Sequence, residues 1–205
     1  MKLIDGLKLK GNPAEIPDCE RNDLPQFFVE MGFKVGAEIG VFRGEFSEKL
    51  TMTGLSLYAI DPWRAYKGSG DSHSQDKLDL MYEQTKQLLA SYSKCKVIRK
   101  TSMEAVEDFE DESLDFVYID GNHGFRYIAE DLAEWTKKVR IGGIISGHDY
   151  FFRLPKKSTR WDVGFVLDAY IKAYRIKNWF VLGRKHAAEG EKRDKWRSWM
   201  FIKDN

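Results

Sequence analysis

Residues 35–50 read VGAEIGVFRGEFSEKL, and how this stretch is read decides the fold. An apolar run gives way to a helical pattern, and Gly36, Gly40 and Gly44 stand four apart around one acidic residue, Glu38. Glycine at a strand-to-helix junction marks a backbone that turns sharply, or a ligand lying where a side chain would have been. Both reasons fit this spacing. A dinucleotide loop of the form G-x-G-x-x-G brings backbone amides up to a pyrophosphate at a helix N-terminus, and its middle glycine admits the phosphates. Here the residue two beyond Gly40 is Phe42, a bulky ring that argues against a pyrophosphate. Glu38, just before the turn, favours a ligand that brings positive charge or hydrogen-bond donors.

Outward from this junction, apolar strands alternate with amphipathic helices. Strands are predicted at 34–41, 56–61, 95–100, 113–120 and 140–148, and helices at 45–53, 76–92, 102–109 and 123–139. Such alternation implies an α/β fold with a doubly wound, Rossmann-like, mainly parallel sheet covered by helices on both faces. The last third breaks the pattern. After a helix at 161–174, the aromatic, alternating segments 178–185 and 197–203 follow without a helix between them and are expected to pair antiparallel. The expected sheet is therefore seven-stranded, with a C-terminal antiparallel hairpin. Residues 1–30, with Pro13, Pro17 and Pro25 among charges, read as a lead-in arm ending in a short helix, and residues 1–205 as a single domain. The Gly/Ser-rich stretch 62–75 reads as a mobile loop, and KKSTR at 156–160 as a charged loop placed to cover a substrate.

Lys and Arg number 33 against 32 Asp and Glu, so no global field draws the chain to nucleic acid or to an anionic membrane. Cys19 and Cys95 lie far apart without metal-ligand spacing, which argues for two reduced thiols rather than a disulfide scaffold or a zinc knuckle. No apolar run reaches bilayer-spanning length, and the N-terminus lacks a signal-peptide pattern; a soluble, cytoplasmic protein is expected. Self-association is left open.

In a doubly wound sheet, ligands lie outside the carboxyl ends of the strands, where strand order reverses. Asp61 ends the second strand about twenty residues beyond the glycine turn, the separation at which nucleoside-binding sheets place a carboxylate for the two ribose hydroxyls. An Asp-Pro turn cap would also put an acid there. With Phe42 and Glu38, Asp61 points to an adenosine-containing ligand without phosphates. Asp120 and His123 close the fourth strand and open its helix, and His148 and Asp149 close the fifth, so all four are expected to meet at one rim. One such residue would read as a helix cap or a polar strand end; four at neighbouring strand ends point to a catalytic or metal-binding cluster.

E-x-G-x-x-x-G at 38–44, IDPW at 60–63, YIDGNHGFRYIAEDLAEW at 118–135 and GGIISGHDY at 142–150 resemble the class I S-adenosylmethionine-dependent methyltransferases. More narrowly, they resemble the small-molecule and sugar O-methyltransferase-like family with IDG-x-H-x-Y and GHDY blocks, over roughly residues 30–185. The resemblance implies S-adenosyl-L-methionine as cofactor, with Glu38, Gly40 and Gly44 around its methionine moiety, Asp61 on the ribose and Ser102 approaching the adenine. Trp63 either lies against the adenine or packs, and Asp120 stands beside the methyl donor. Metal-dependent enzymes of the catechol type place two acids and an amide at the positions of Asp120, His148 and Asp149, and a Lys base where His123 stands. The resemblance therefore implies His123 as catalytic base, helped by Asp120, and Asp120, His148 and Asp149 as ligands of a divalent metal such as magnesium or manganese. A histidine ligand departs from that pattern, since imidazole prefers softer ions than magnesium. The implied partner is a small-molecule acceptor: a sugar, phenol or natural-product hydroxyl. A dinucleotide-dependent oxidoreductase and a non-catalytic cofactor-binding protein are the rival readings.

Overall fold

In the computed structural model, which describes residues 1–65, 73–152 and 161–204, eight strands form one sheet. In chain order they are β1 (Ala14–Ile16), β2 (Val35–Ile39), β3 (Ser56–Ile60), β4 (Cys95–Ile98), β5 (Leu114–Ile119), β6 (Val139–Tyr150), β7 (Trp179–Leu182) and β8 (Arg197–Ile202). Across the sheet the order is β1-β7-β8-β6-β5-β2-β3-β4. Strands β2 to β6 are mutually parallel, while β8 lies antiparallel between β6 and β7, so the expected C-terminal hairpin is present. KKSTR, and part of the loop expected at 62–75, fall outside the described residues.

The expected strand count is one short. Residues 14–16 of the N-terminal arm form β1, which pairs parallel with β7. The edge of β7 would otherwise offer unpaired backbone groups to other chains, and a short strand from the arm covers it. The arm is thus a structural part of the sheet as well as a lead-in. β6 is also longer than expected and runs on to Tyr150.

Period-two alternation splits the core between the two faces of the sheet. Phe116, Ile144, Phe180 and Met200 pack into one apolar cluster, and their neighbours Val117, Ile145, Val181 and Trp199 into the other. Seven α-helices are described: α1 (Leu3–Gly6), α2 (Leu24–Glu30), α3 (Glu45–Met52), α4 (Gln75–Leu89), α5 (Ser102–Ala105), α6 (Phe125–Lys138) and α7 (Val163–Ala173). No helix among the described residues is long and apolar enough to cross a membrane. Burial pushes both thiols up, Cys19 and Cys95 each to about 11, which leaves them protonated and unreactive at neutral pH.

From β2 the chain moves outward through β3 and β4, then returns to β5 on the other side of β2. The reversal opens a crevice at the carboxyl ends of β2 and β5, where ligands of such sheets bind. The glycine spacing of the opening stretch now has physical reasons. A side chain on Gly36 would stand 2.4 Å from the Phe116 ring, and one on Gly40 2.2 Å from the Asp120 carbonyl oxygen. Gly40 and Gly44 also take φ of +92° and +79°, which side-chain-bearing residues rarely adopt. At Gly40 the glycine therefore brings the end of β2 against the end of β5.

Candidate active site

A cavity of about 610 Å³ opens at this reversal. Its wall includes Glu38, Gly40, Asp61, Trp63, Ser102, Asp120 and His123, so seven of the residues singled out in the sequence meet around one space. The volume lies in the range typical of small-molecule sites. Gly44 caps the following helix from the left-handed region, and His148 and Asp149 stand at the end of β6 beside the rim.

Glu38 is 2% exposed and accepts a short hydrogen bond from the Ser47 hydroxyl on α3. Burial pushes its carboxyl up to about 8 against the opposing effect of Ser47, so at neutral pH it holds a proton. Asp61 shapes the glycine turn: its Oδ2 accepts the Phe42 amide at 3.0 Å and its Oδ1 the Trp63 amide at 2.7 Å. Burial raises its carboxyl against these bonds. The two readings of Asp61 are therefore compatible, since it acts as a turn cap and still borders the cavity. Trp63 is 1% exposed, its indole N–H donates to the Phe42 carbonyl at 2.8 Å, and its ring packs 5.0 Å from Tyr82. Ser102 donates to Asp131 and accepts the Trp135 indole N–H at 2.7 Å.

The rim is built by two loops that hold each other. The Asn122 side chain accepts the Gly124 amide at 3.0 Å, and Asp162 caps the start of α6 by accepting the Phe125 amide at 3.0 Å. The Asp162 amide in turn donates to the His123 carbonyl at 2.8 Å, and the imidazole stacks on Trp161 with ring centres 4.5 Å apart. His123 Nε2 lies 2.7 Å from Asp149 Oδ2 and 3.8 Å from Asp120 Oδ1. The nitrogen is buried without an aligned hydrogen bond, so the 2.7 Å approach is a contact of charges rather than a directed N–H bond. Burial, the largest influence, disfavours the imidazolium, but Asp120 and Asp149 together outweigh it and push His123 up to about 9. Burial likewise opposes the charge on Asp149, yet His123 and His148 hold its carboxyl well below the usual range. Asp149 is 4% exposed and sits at φ +61°, where the register of β6 against β8 shifts. A non-glycine residue held there reflects a backbone fixed by its surroundings, a common state at functional sites.

The donor atoms that converge differ from the expected metal trio. Asp120, His123 and Asp149 each offer one ligand atom within 4.8 Å of the others. His148 stands behind them, with Nδ1 3.3 Å from Asp149 Oδ1, because it precedes the turn that swings Asp149 into the rim. Two carboxylates beside an imidazole form a donor set suited to a borderline divalent ion, so the residues present fit a metal.

Arg21 gave no signal in the sequence. It lies in the N-terminal arm, 99 residues from Asp120, and reaches Asp120 Oδ2 at 3.3 Å with its guanidinium 5.2 Å over the Phe46 ring. Its backbone amide donates to Asp194 at 2.7 Å, tying the arm to the linker between β7 and β8. Asp131 and Trp161 were missed for the same reason: long-range packing brings them to the site, and no local spacing marks them.

The chain belongs to the methyltransferase-domain family, whose model matches residues 37–150. Among solved structures it is similar to a proposed caffeoyl-CoA O-methyltransferase from Staphylococcus aureus. That match has a TM-score of 0.64 and 15% identity, over 89% of this chain and 82% of the other. It is also similar to the O-methyltransferase from Bacillus cereus solved in complex with SAH, with a TM-score of 0.61 and 14% identity over 89% and 80%. At such identities these likenesses establish the fold. A curated relative, the uncharacterized protein y4gI of Sinorhizobium fredii, is 28% identical over 93 residues. That match covers 45% of this chain and spans only 10% of the relative's length.

Proposed function

We propose that the protein transfers the methyl group of S-adenosylmethionine to a hydroxyl oxygen of a small-molecule acceptor. The observation that carries this reading is the meeting of Asp120, His123 and Asp149 at the edge of the cavity that Glu38, Gly40 and Asp61 enclose. When bound, the cofactor supplies a methyl group on a sulfonium, open to in-line displacement. The chain's own residues align the acceptor and take its proton. Glu38 faces the cationic methionine end, Asp61 the ribose and Ser102 the adenine. His123 removes the hydroxyl proton, held in place by Trp161 and by the two carboxylates. Phe42 in the glycine turn continues to speak against a dinucleotide oxidoreductase.

The buried, unaligned Nε2 between two acids favours a second way of handling that proton. Asp120, His123 and Asp149 would hold a divalent ion, which lowers the pKa of a bound hydroxyl. His148 would then steady Asp149 rather than ligate.

Binding tests the reading first. S-adenosylhomocysteine is expected to raise the melting temperature by mass action on the folded state, and NAD is expected to leave it unchanged. The opposite pattern would reject the reading. Glu38 adds a pH signature. The unliganded carboxyl holds its proton below about 8, and an ammonium group beside it favours the ionised form, so binding releases a proton. Affinity for S-adenosylhomocysteine is therefore expected to rise from mildly acidic pH to about 8 and then level off, and Glu38→Gln to flatten that rise. Calorimetry in buffers of different ionisation enthalpy reads the released proton directly; no release would place the ammonium away from Glu38.

A further inference from the structure

Asp131 is a buried acid that the proposed reaction does not use. It lies on α6, 3% exposed, and still forms part of the cavity wall. Its Oδ1 accepts the Ser102 hydroxyl, and Ser102 in turn accepts the Trp135 indole N–H at 2.7 Å. This relay fixes Ser102 as a donor to Asp131 and leaves Oδ2 as the carboxyl's free end. No described donor reaches Oδ2, and it is not among the polar atoms sealed away from solvent. Beside it is Gly121, where an added side chain would stand 3.8 Å away, an ordinary contact at the cavity wall.

The surroundings indicate which part of a ligand this oxygen meets. Sheet order runs from β5 through β2 and β3 to β4, so Ser102, just past β4, lies beyond Asp61 as seen from the Asp120 and His123 rim. Thr101, Ser102, Met103 and Tyr127 line the cavity with Asp131. An adenosyl group with its methyl end at the rim and its ribose at Asp61 therefore carries its base towards Asp131. Resting on the reading of this cavity as the adenosyl site, the geometry points to Asp131 Oδ2 as the acceptor for the exocyclic 6-amino group of adenine, making Asp131 the residue that selects an adenosyl over a 6-oxopurine cofactor. A 6-oxo group would turn an acceptor towards an acceptor, and a site built to bond one polar group discriminates strongly against a ligand that leaves it unmet. Burial pushes Asp131 up to about 7, with Ser102 opposing and the neighbouring Glu130 adding to the rise. The carboxylate form that accepts from an amino group therefore dominates at mildly alkaline pH.

The test measures dissociation constants of S-adenosyl-L-homocysteine and S-inosyl-L-homocysteine by calorimetry at about pH 8, where Asp131 is mostly ionised. The unaltered protein is expected to prefer the adenosyl compound by on the order of a hundredfold. Asp131→Asn, nearly isosteric and able to offer an N–H to a 6-oxo group, is expected to bring the two constants within about tenfold. Equal affinity for the two compounds in the unaltered protein would overturn the assignment whatever the variant does. An Asp131→Asn variant that weakens both compounds in proportion would also overturn it, because a structural role lowers affinity without moving the ratio. If neither compound binds the unaltered protein, the adenosyl reading of the cavity fails and the assignment falls with it; binding without discrimination rejects the assignment and leaves the cavity's reading standing.

Discussion

Replacing His123 by alanine is expected to lower turnover by roughly two to four powers of ten, the range for a lost general base. The backbone at this point is anchored by the Asp162 amide, so the rim keeps its shape while the imidazole is removed. A purely structural His123 would show the reverse, a lowered melting temperature with turnover almost intact. The pH profile of the parent enzyme carries the sign. His123 is held protonated up to about 9 by Asp120 and Asp149, so a base acting without a metal gains activity as pH rises towards 9 and then levels off. Chelation assigns the proton's route. If the three groups hold an ion, a chelator abolishes turnover and leaves cofactor affinity nearly unchanged, because such an ion would hold the acceptor hydroxyl rather than the adenosine. If His123 acts without an ion, chelators have no effect, whereas Asp120→Asn still slows the reaction by releasing the ring.

The second large effect is on stability. Gly40→Ala is expected to cost on the order of 3 kcal/mol or more, because a backbone at φ +92° strains a side chain and the new methyl would stand 2.2 Å from the Asp120 carbonyl oxygen. Gly32→Ala separates the two causes. Its φ is +78° but nothing lies within 4 Å of the added methyl, so strain alone should cost roughly 1–2 kcal/mol. Denaturant unfolding of both variants measures the difference. Equal costs would mean that β2 and β5 separate easily at this point and that Gly40 does not set the position of Asp120.

Most of the fold was legible because its signals are local. Alternating strands and helices, with the polar and glycine-rich segments between them, placed the parallel strands and the closing hairpin near their observed positions. β1 was missed because AEI in the arm is too short to show a period; it becomes a strand only through the exposed edge of β7 that it covers. The strand-end rule pointed to the rim of this cavity, since Asp61, Asp120, His123 and Asp149 each follow or close a strand. It could not assign roles within the rim. Asp149 and His148 are neighbours in sequence, and only the left-handed backbone at Asp149 determines which of them faces Asp120 and His123. Arg21 was beyond local reading altogether, because its partner lies 99 residues away and is reached through the pairing of the arm with the sheet. The glycine spacing that opened the sequence proved to have a packing cause at Gly36 and Gly40, which leaves the ligand evidence with the acids around the cavity.

In the function proposed for this protein, the crevice between β2 and β5 holds an adenosyl cofactor whose methyl end faces Asp120, His123 and Asp149. Its most direct test is a crystal structure of the protein grown with S-adenosylhomocysteine and manganese, with anomalous differences recorded for the metal. The adenosine is expected along Asp61 with its sulfur towards His123, and any bound manganese among Asp120, His123 and Asp149. A cavity without the nucleoside at saturating ligand, or a nucleoside whose sulfur points away from those three residues, would contradict it.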